Sequence, residues 1–231
     1  VAVDDATALA LGDDELDRIA TSTANSATVI IGDEGVSGDV TVVGNVSATT
    51  FDNLTLIADN GLAANGDIFG GDFSIDNEDD VLALDARNTI FGTNGNFIDG
   101  GGLALAEDKL EFVAGTIAAR SRNASGDQIN LLYNDLSADN DALVVGTSDG
   151  LDTAGGSNFS GIRTGGTGEI ELETSGPGIT QNTDANIQTT TGNITISFGT
   201  DDGLGDEVFN ISQVLTNQDE SDVGTVTLNY F

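Results

Sequence analysis

From residue 27 onward, apolar residues recur with period two in short packets closed by Gly, Asp, Asn or Ser. In "DVTVVG" (39–44), Val40 and Val42 fall on one face and Thr41 and Val43 on the other. In "NLTLIAD" (53–59), Leu54, Leu56 and Ala58 fall together. The same rhythm runs through "ATVII" (27–31), "GDIFGGDFSID" (66–76), "DVLALDA" (80–86), "NTIFG" (88–92), "NFIDG" (96–100) and "KLEFVAGTIAARS" (109–121). It continues in "QINLLYND" (128–135), "ALVVGTS" (142–148), "GEIELETS" (168–175), "NIQTTTGNITISFG" (186–199), "EVFNISQVL" (207–215) and "GTVTLNYF" (224–231). Alternate side chains of a strand point to opposite faces, so this pattern predicts many short strands. Turn residues interrupt it about every eight to twelve positions, the spacing of a sandwich, a barrel or a β-solenoid. Helical spacing is confined to "DDELDRIA" (13–20), whose leading acids suit a helix N-terminus and which predicts one or two turns.

A recurring cell narrows the choice. Gly is followed by Asp, Glu or Asn, then by two aliphatics two positions apart: Gly38-Asp39-Val40-Thr41-Val42, Gly168-Glu169-Ile170-Glu171-Leu172 and Gly192-Asn193-Ile194-Thr195-Ile196. The expectation is that Gly turns a corner with positive φ, that the polar residue satisfies backbone there, and that the two aliphatics fill the interior. Aromatics are only 5% of 231 residues and Trp is absent, which suits the thin aliphatic core of a stacked coil better than a sandwich. The predicted fold is therefore all-β, a parallel β-helix or solenoid. Residues 1–26 form a leading or capping segment and residues 27–231 the solenoid. Coils of about twenty residues would number about eleven. The alternative is a β-sandwich of the pilin-like kind, donating a terminal strand to its neighbour.

Charge bears on partners. Thirty-nine acids face six bases, for a formal net charge of −33. Such a field repels nucleic acid and anionic membrane surfaces, so neither is an expected partner. The acidity suits a solvated, self-repelling surface, Ca²⁺ binding, or a high-salt environment. No apolar window is long enough for a membrane helix, and "VAVDDATALAL" lacks the basic region and apolar core of a signal peptide. The expectation is a mature form or an excised segment. The alternating aliphatic face of "TVTLNYF" reads as an ordinary strand and not as membrane-barrel wall.

Only carboxylate clusters offer candidate chemistry. Asp76, Glu78 and Asp80 stand at i, i+2 and i+4; Asp139 and Asp141 follow Asp135; Asp201, Asp202 and Asp206 surround Gly203 and Gly205. Ca²⁺ takes six to eight oxygens from such flexible, Gly-rich segments, so these eight acids are the metal candidates and Ca²⁺ the one cofactor considered. None has EF-hand spacing. Catalysis is not expected: there is no His or Cys for nucleophilic chemistry, and no Trp and only two Tyr to stack a sugar.

The opening stretch resembles a unit repeated in bacterial surface proteins of the filamentous-haemagglutinin type. The matching residues are Glu15-Leu16-Asp17-Arg18-Ile19, Thr28-Val29-Ile30-Ile31-Gly32, Gly38-Asp39-Val40-Thr41-Val42-Val43-Gly44 and Leu54-Thr55-Leu56. The likeness covers about the first sixty residues well; "GNITISF" near Asn193 fits loosely, and the middle matches in composition only. The resemblance implies a right-handed parallel β-helix, an extracellular place on the cell surface, and an adhesive or fibrous role without catalytic residues. The expected function is a self-assembling surface fibre or a segment of a fibrous adhesin. The alternative is a calcium-dependent module that binds glycan or another cell. A stacked fold leaves strand edges at its ends, so the terminal strands are the expected junctions of a head-to-tail homo-oligomer, through Val1, Val3, Val226, Leu228 and Tyr230.

Overall fold

The structure, a computed structural model, describes residues 8–16, 19, 28–33, 38–42, 46–48, 53–59, 67–70, 73–75, 80–92, 109–122, 128–133, 142–148, 157–174, 178–198, 208–210, 214–216 and 226–230. Its strands form two sheets. The first holds β1 (Ala8–Leu11), β3 (Asp39–Val42), β4 (Val46–Ala48), β6 (Ile68–Gly70), β7 (Phe73–Ile75), β9 (Ile90–Gly92), β10 (Leu110–Val113), β12 (Gln128–Tyr133), β15 (Glu169–Thr174), β18 (Ile194–Phe198) and β21 (Val226–Tyr230). The second holds β2 (Thr28–Ile31), β5 (Asn53–Ala58), β8 (Val81–Ala86), β11 (Thr116–Ser121), β13 (Leu143–Val145), β14 (Ile162–Arg163), β16 (Gly178–Gln181), β17 (Ile187–Thr189), β19 (Val208–Asn210) and β20 (Val214–Thr216).

The all-β expectation holds, and every ladder between these strands is parallel. An isolated antiparallel bridge joins Thr147 to Ser160 outside them. Parallel strands cannot be joined by a tight hairpin, so the chain must leave a sheet before it returns. Here it leaves each time for the other sheet, and strands or strand pairs alternate between the two from β1 to β21.

Register turns the sequence cells into columns. In the first sheet Leu9, Val40, Ile68, Ile90, Ile129, Ile170, Ile194 and Val226 stand one above another. In the second, Ile31, Leu56, Leu84, Ala119, Ile162, Ile187 and Val214 do the same. The buried members of both columns belong to one core with Leu16, Val42, Leu54, Leu82, Ile117, Leu131 and Leu172. Phe112 and Tyr133 form a close aromatic pair within it, with centroids 5.6 Å apart. Each fully buried aliphatic contributes about 1.5–3 kcal/mol, so modest side chains suffice when many are stacked. The step is longer and less even than twenty residues. Ile68 pairs with Ile90, but Val40 pairs with Ile68 and Ile129 with Ile170. The excess lies between strands, where the period-two pattern gives no measure of length.

The short helix is α1 (Asp13–Leu16), followed by a hydrogen bond from the Ile19 N–H to the Leu16 carbonyl, 2.9 Å. Leu16 is wholly buried in the common core. Within residues 1–26, then, β1 joins the first sheet and Leu16 fills its interior.

Corners hold two surprises. The first concerns glycine. Gly32, Gly161 and Gly166 take left-handed φ, whereas Gly168 and Gly192 of the recurring cell do not, which corrects the expectation from the sequence. What Gly192 provides is close approach: a Cβ there would lie 1.8 Å from the Gly168 carbonyl oxygen of the neighbouring layer. That same carbonyl accepts hydrogen bonds from the Thr164 and Thr189 hydroxyls, at 2.9 and 2.6 Å. The second is a ladder of side chains along the strand starts. The Asp67 N–H donates to Asp39 Oδ1 (3.1 Å) and the Thr89 N–H to Asp67 Oδ1 (2.9 Å); on the second sheet the Val81 N–H donates to Asn53 Oδ1 (3.0 Å). The polar residue thus satisfies backbone in the next layer. Burial raises the Asp67 pKa; the Thr89 N–H opposes this, and the charge of Asp39 adds to it.

Gly192→Ala is expected to cost about 3 kcal/mol in urea unfolding, because a backbone carbonyl cannot move aside as a side chain can; an unchanged midpoint would contradict the tight stacking. Asp67→Asn keeps an oxygen for the Thr89 N–H and removes a poorly solvated charge. Because the folded pKa of Asp67 lies above its unfolded value, its contribution to stability is greatest below the unfolded pKa and is lost as pH rises through the folded one. The variant should therefore melt higher than the parent at pH 7, and the gain should shrink on acidification; a lower melting point at pH 7 would refute this.

Candidate functional site

Of the eight acids considered for metal, Asp80 alone is described. It is 3% exposed just before β8, and its carbonyl accepts the Thr116 N–H at 2.9 Å. Asp76, Glu78, Asp139, Asp141, Asp201, Asp202 and Asp206 lie outside the described residues. Among the described residues no group of three or more acids is placed to hold a metal ion.

Charge is instead concentrated on the outward face of the second sheet, a cluster that the sequence does not announce. Asp85 on β8 stands beside Arg120 on β11 in the parallel register. Arg120 donates to both carboxylate oxygens, from Nε at 2.9 Å and Nη2 at 2.7 Å. Arg122 grips the same carboxylate through Nε (2.7 Å) and Nη2, and reaches Asp59 beyond β5 with Nη1 at 3.1 Å. Arg87 adds a longer contact to Asp59, 3.4 Å. Both Asp side chains are buried, Asp85 completely. The Arg120 guanidinium lies 4.4 Å from the centroid of Phe159, a cation–π contact. Phe159 in turn packs with Ile57, Ala83 and Ala118, so this outward face is covered by a second small apolar cluster. Three of the chain's six basic residues thus tie together three successive layers, β5, β8 and β11.

Lys109 does the same on the first sheet, bridging Glu171 (2.9 Å) and Glu173 (2.6 Å) of β15. Burial lowers its pKa, but the hydrogen bonds and charges of the two glutamates outweigh this and leave it raised. Arg163 donates to the Asp184 carbonyl at 3.4 Å. These cations are engaged within the fold.

A strand edge with a single described neighbour is the other distinctive feature. Among the described strands β21 pairs with β18 alone, and β1 with β3 alone. Val226 and Leu228 stand over Ile194 and Ile196, at positions that are buried in the layers below. Yet they are 42% and 54% exposed, the large apolar residues most open to solvent among the described ones. Tyr230 belongs to the same strand, while Val1 and Val3 lie outside the described residues. No helix among the described residues is long and apolar enough to cross a membrane.

No family model matches the chain, and neither the curated proteins nor the solved structures contain a significant match.

Asp85→Ala would leave Arg120 and Arg122 facing each other around a vacated carboxylate. Removing one partner of a buried ion pair costs about 3–5 kcal/mol, and equilibrium unfolding should show a loss of that size. A loss under about 1 kcal/mol would mean that the arginines are held by packing alone.

Proposed function

We propose that the chain is a length of parallel β-solenoid, right-handed as in the filamentous-haemagglutinin-like surface proteins it resembles. It serves as a non-enzymatic extracellular structural element, a self-assembling surface fibre or a segment of a fibrous adhesin. The architecture is supported by the alternation of single strands or strand pairs between two all-parallel sheets and by the continuous apolar columns. The non-enzymatic reading is supported by composition: there is no His or Cys for nucleophilic chemistry, and no Trp to stack a sugar.

The observation that carries self-assembly is β21. Its Val226 and Leu228 occupy core positions and remain largely exposed on a strand edge that no described strand covers. Natural edge strands are blunted by charge, proline or a covering segment, because an unprotected edge templates pairing. Val226–Tyr230 contains neither charge nor proline.

Negative-stain microscopy at low and high salt should show filaments for the unaltered chain, favoured by salt because the −33 charge is then screened. Val226→Asp with Leu228→Asp should raise the concentration needed for assembly at least tenfold. Both sites are largely exposed, so the unfolding free energy should stay within about 0.5 kcal/mol of the parent. Isolated short particles from the unaltered chain at every salt concentration would sink the self-assembling reading.

A further inference from the structure

We infer that the β21 edge receives β1 of a second copy of this chain, in parallel, with Val226 beside Leu9, Thr227 beside Ala10 and Leu228 beside Leu11. The inference rests on the self-assembly proposed above and adds to it the partner, the polarity and the register.

Four observations converge. First, β1 and β21 are two of the three end strands of the same sheet, the third being β4 on the branch through β10 and β7, and each has a single described neighbour. Docking one on the other extends that sheet without a break in its geometry. Second, every ladder of the sheet is parallel, so a parallel junction repeats what already exists. A self-complementary β21–β21 contact would be antiparallel and would close as a dimer, whereas β1 on β21 is a heterologous contact that propagates. Third, the register is already set. Leu9 begins the column that Val226 ends, and Leu11 stands beside Val42 at the position two residues on, as Leu228 stands beside Ile196. Placing Leu9 next to Val226 makes the junction one more step of the same column. A slip of one residue would bring Thr227 into the apolar column, which disfavours other registers.

Fourth, the two edges are free of charge in a chain that has 39 acids. Ala8–Leu11 and Val226–Tyr230 contain no ionisable carboxylate or cation. Many strands inside the stack share this, β18 beneath β21 among them, whereas β15 contains Glu169, Glu171 and Glu173. Two bodies each of charge −33 repel at long range, but at 0.15 M salt that repulsion is screened over about 8 Å. A contact whose own strands add no charge then loses nothing to burial of acids.

The chain has no cysteine, so single thiols can be placed at will. Thr227→Cys copies are mixed with Ala10→Cys copies, assembled in high salt, oxidised mildly and run on a non-reducing gel. In the inferred register the two Cα atoms lie about 4.8 Å apart, within reach of a disulfide. A mixed dimer should form at least tenfold faster than with Ala8→Cys. That residue stands two positions back in the strand, displaced about 6.6 Å along it, beyond disulfide reach. Far-UV circular dichroism of each variant before mixing identifies any that does not fold. As a second measure, a small fraction of the Val226→Asp, Leu228→Asp chain should shorten parental filaments, since its β1 can still dock and its β21 cannot extend them. Filaments without the mixed disulfide, with equal cross-linking to Ala8→Cys, with Thr227→Cys linked to itself, or of unchanged length would overturn this junction and leave the fibre reading standing. Absence of filaments altogether would overturn both.

Discussion

In a parallel stack each residue is constrained by the one a strand spacing beneath it. The columns from Leu9 to Val226 and from Ile31 to Val214 are the plainest form of that constraint. Because the spacing is only about 4.8 Å, anything that projects between layers must be small or must hydrogen-bond. Gly192 meets the first condition, since no Cβ fits over the Gly168 carbonyl. Asp39, Asp67 and Asn53 meet the second, each accepting an N–H from the next layer. The same spacing makes an acid directly above an acid costly. That cost is visible in the pKa of Asp67, raised first by burial and further by Asp39.

Seen this way, the placement of the few cations follows from electrostatics. A chain of net charge −33 stacked upon itself repels most strongly where acids are buried, because screening by water and salt is weakest there. Arg87, Arg120 and Arg122 converge on Asp59 and Asp85, and Lys109 on Glu171 and Glu173. Arginine suits the buried position because its planar fork binds both carboxylate oxygens, as Arg120 does on Asp85. The exposed acids need no such partner, since solvent and counterions serve them.

Much of this fold was legible in the sequence because inward residues obey a simple period. Val40 with Val42, and Leu54 with Leu56 and Ala58, point into the core as the alternation predicts. The period fails where the chain changes sheets. "KLEFVAGTIAARS" reads as one strand but divides into β10 and β11 in different sheets, and "NIQTTTGNITISFG" divides into β17 and β18. Inward positions change phase at such a corner, from Leu110, Phe112 and Ala114 to Ile117 and Ala119, and from Ile187 and Thr189 to Ile194 and Ile196, with Gly115 and Gly192 lying between. The covered outer face was not legible either. Ile57, Ala83 and Ala118 alternate out of phase with the core residues and look solvated until Phe159, distant in sequence, lies over them. The arginine–aspartate cluster is invisible for a related reason. Asp59, Asp85 and Arg122 belong to separate packets that only the parallel register brings together.

An end of such a stack is governed by different physics from its middle. In the middle, Ile194 and Ile196 are buried by layers on both sides; in β21, Val226 and Leu228 have the same inward positions and a layer on one side only. Burial there depends on what is supplied from outside the described strands. A strand that needed solubility at that edge would gain it from one lysine or glutamate, residues that interrupt aggregation at little cost to stability. Val226–Tyr230 carries no acid, but neither does β18 beneath it (Ile194–Phe198), so the edge has the same composition as the interior layer it stands on. What distinguishes β21 is therefore position and not composition: the same alternation that buries Ile194 and Ile196 leaves Val226 and Leu228 exposed where a layer is described on one side only.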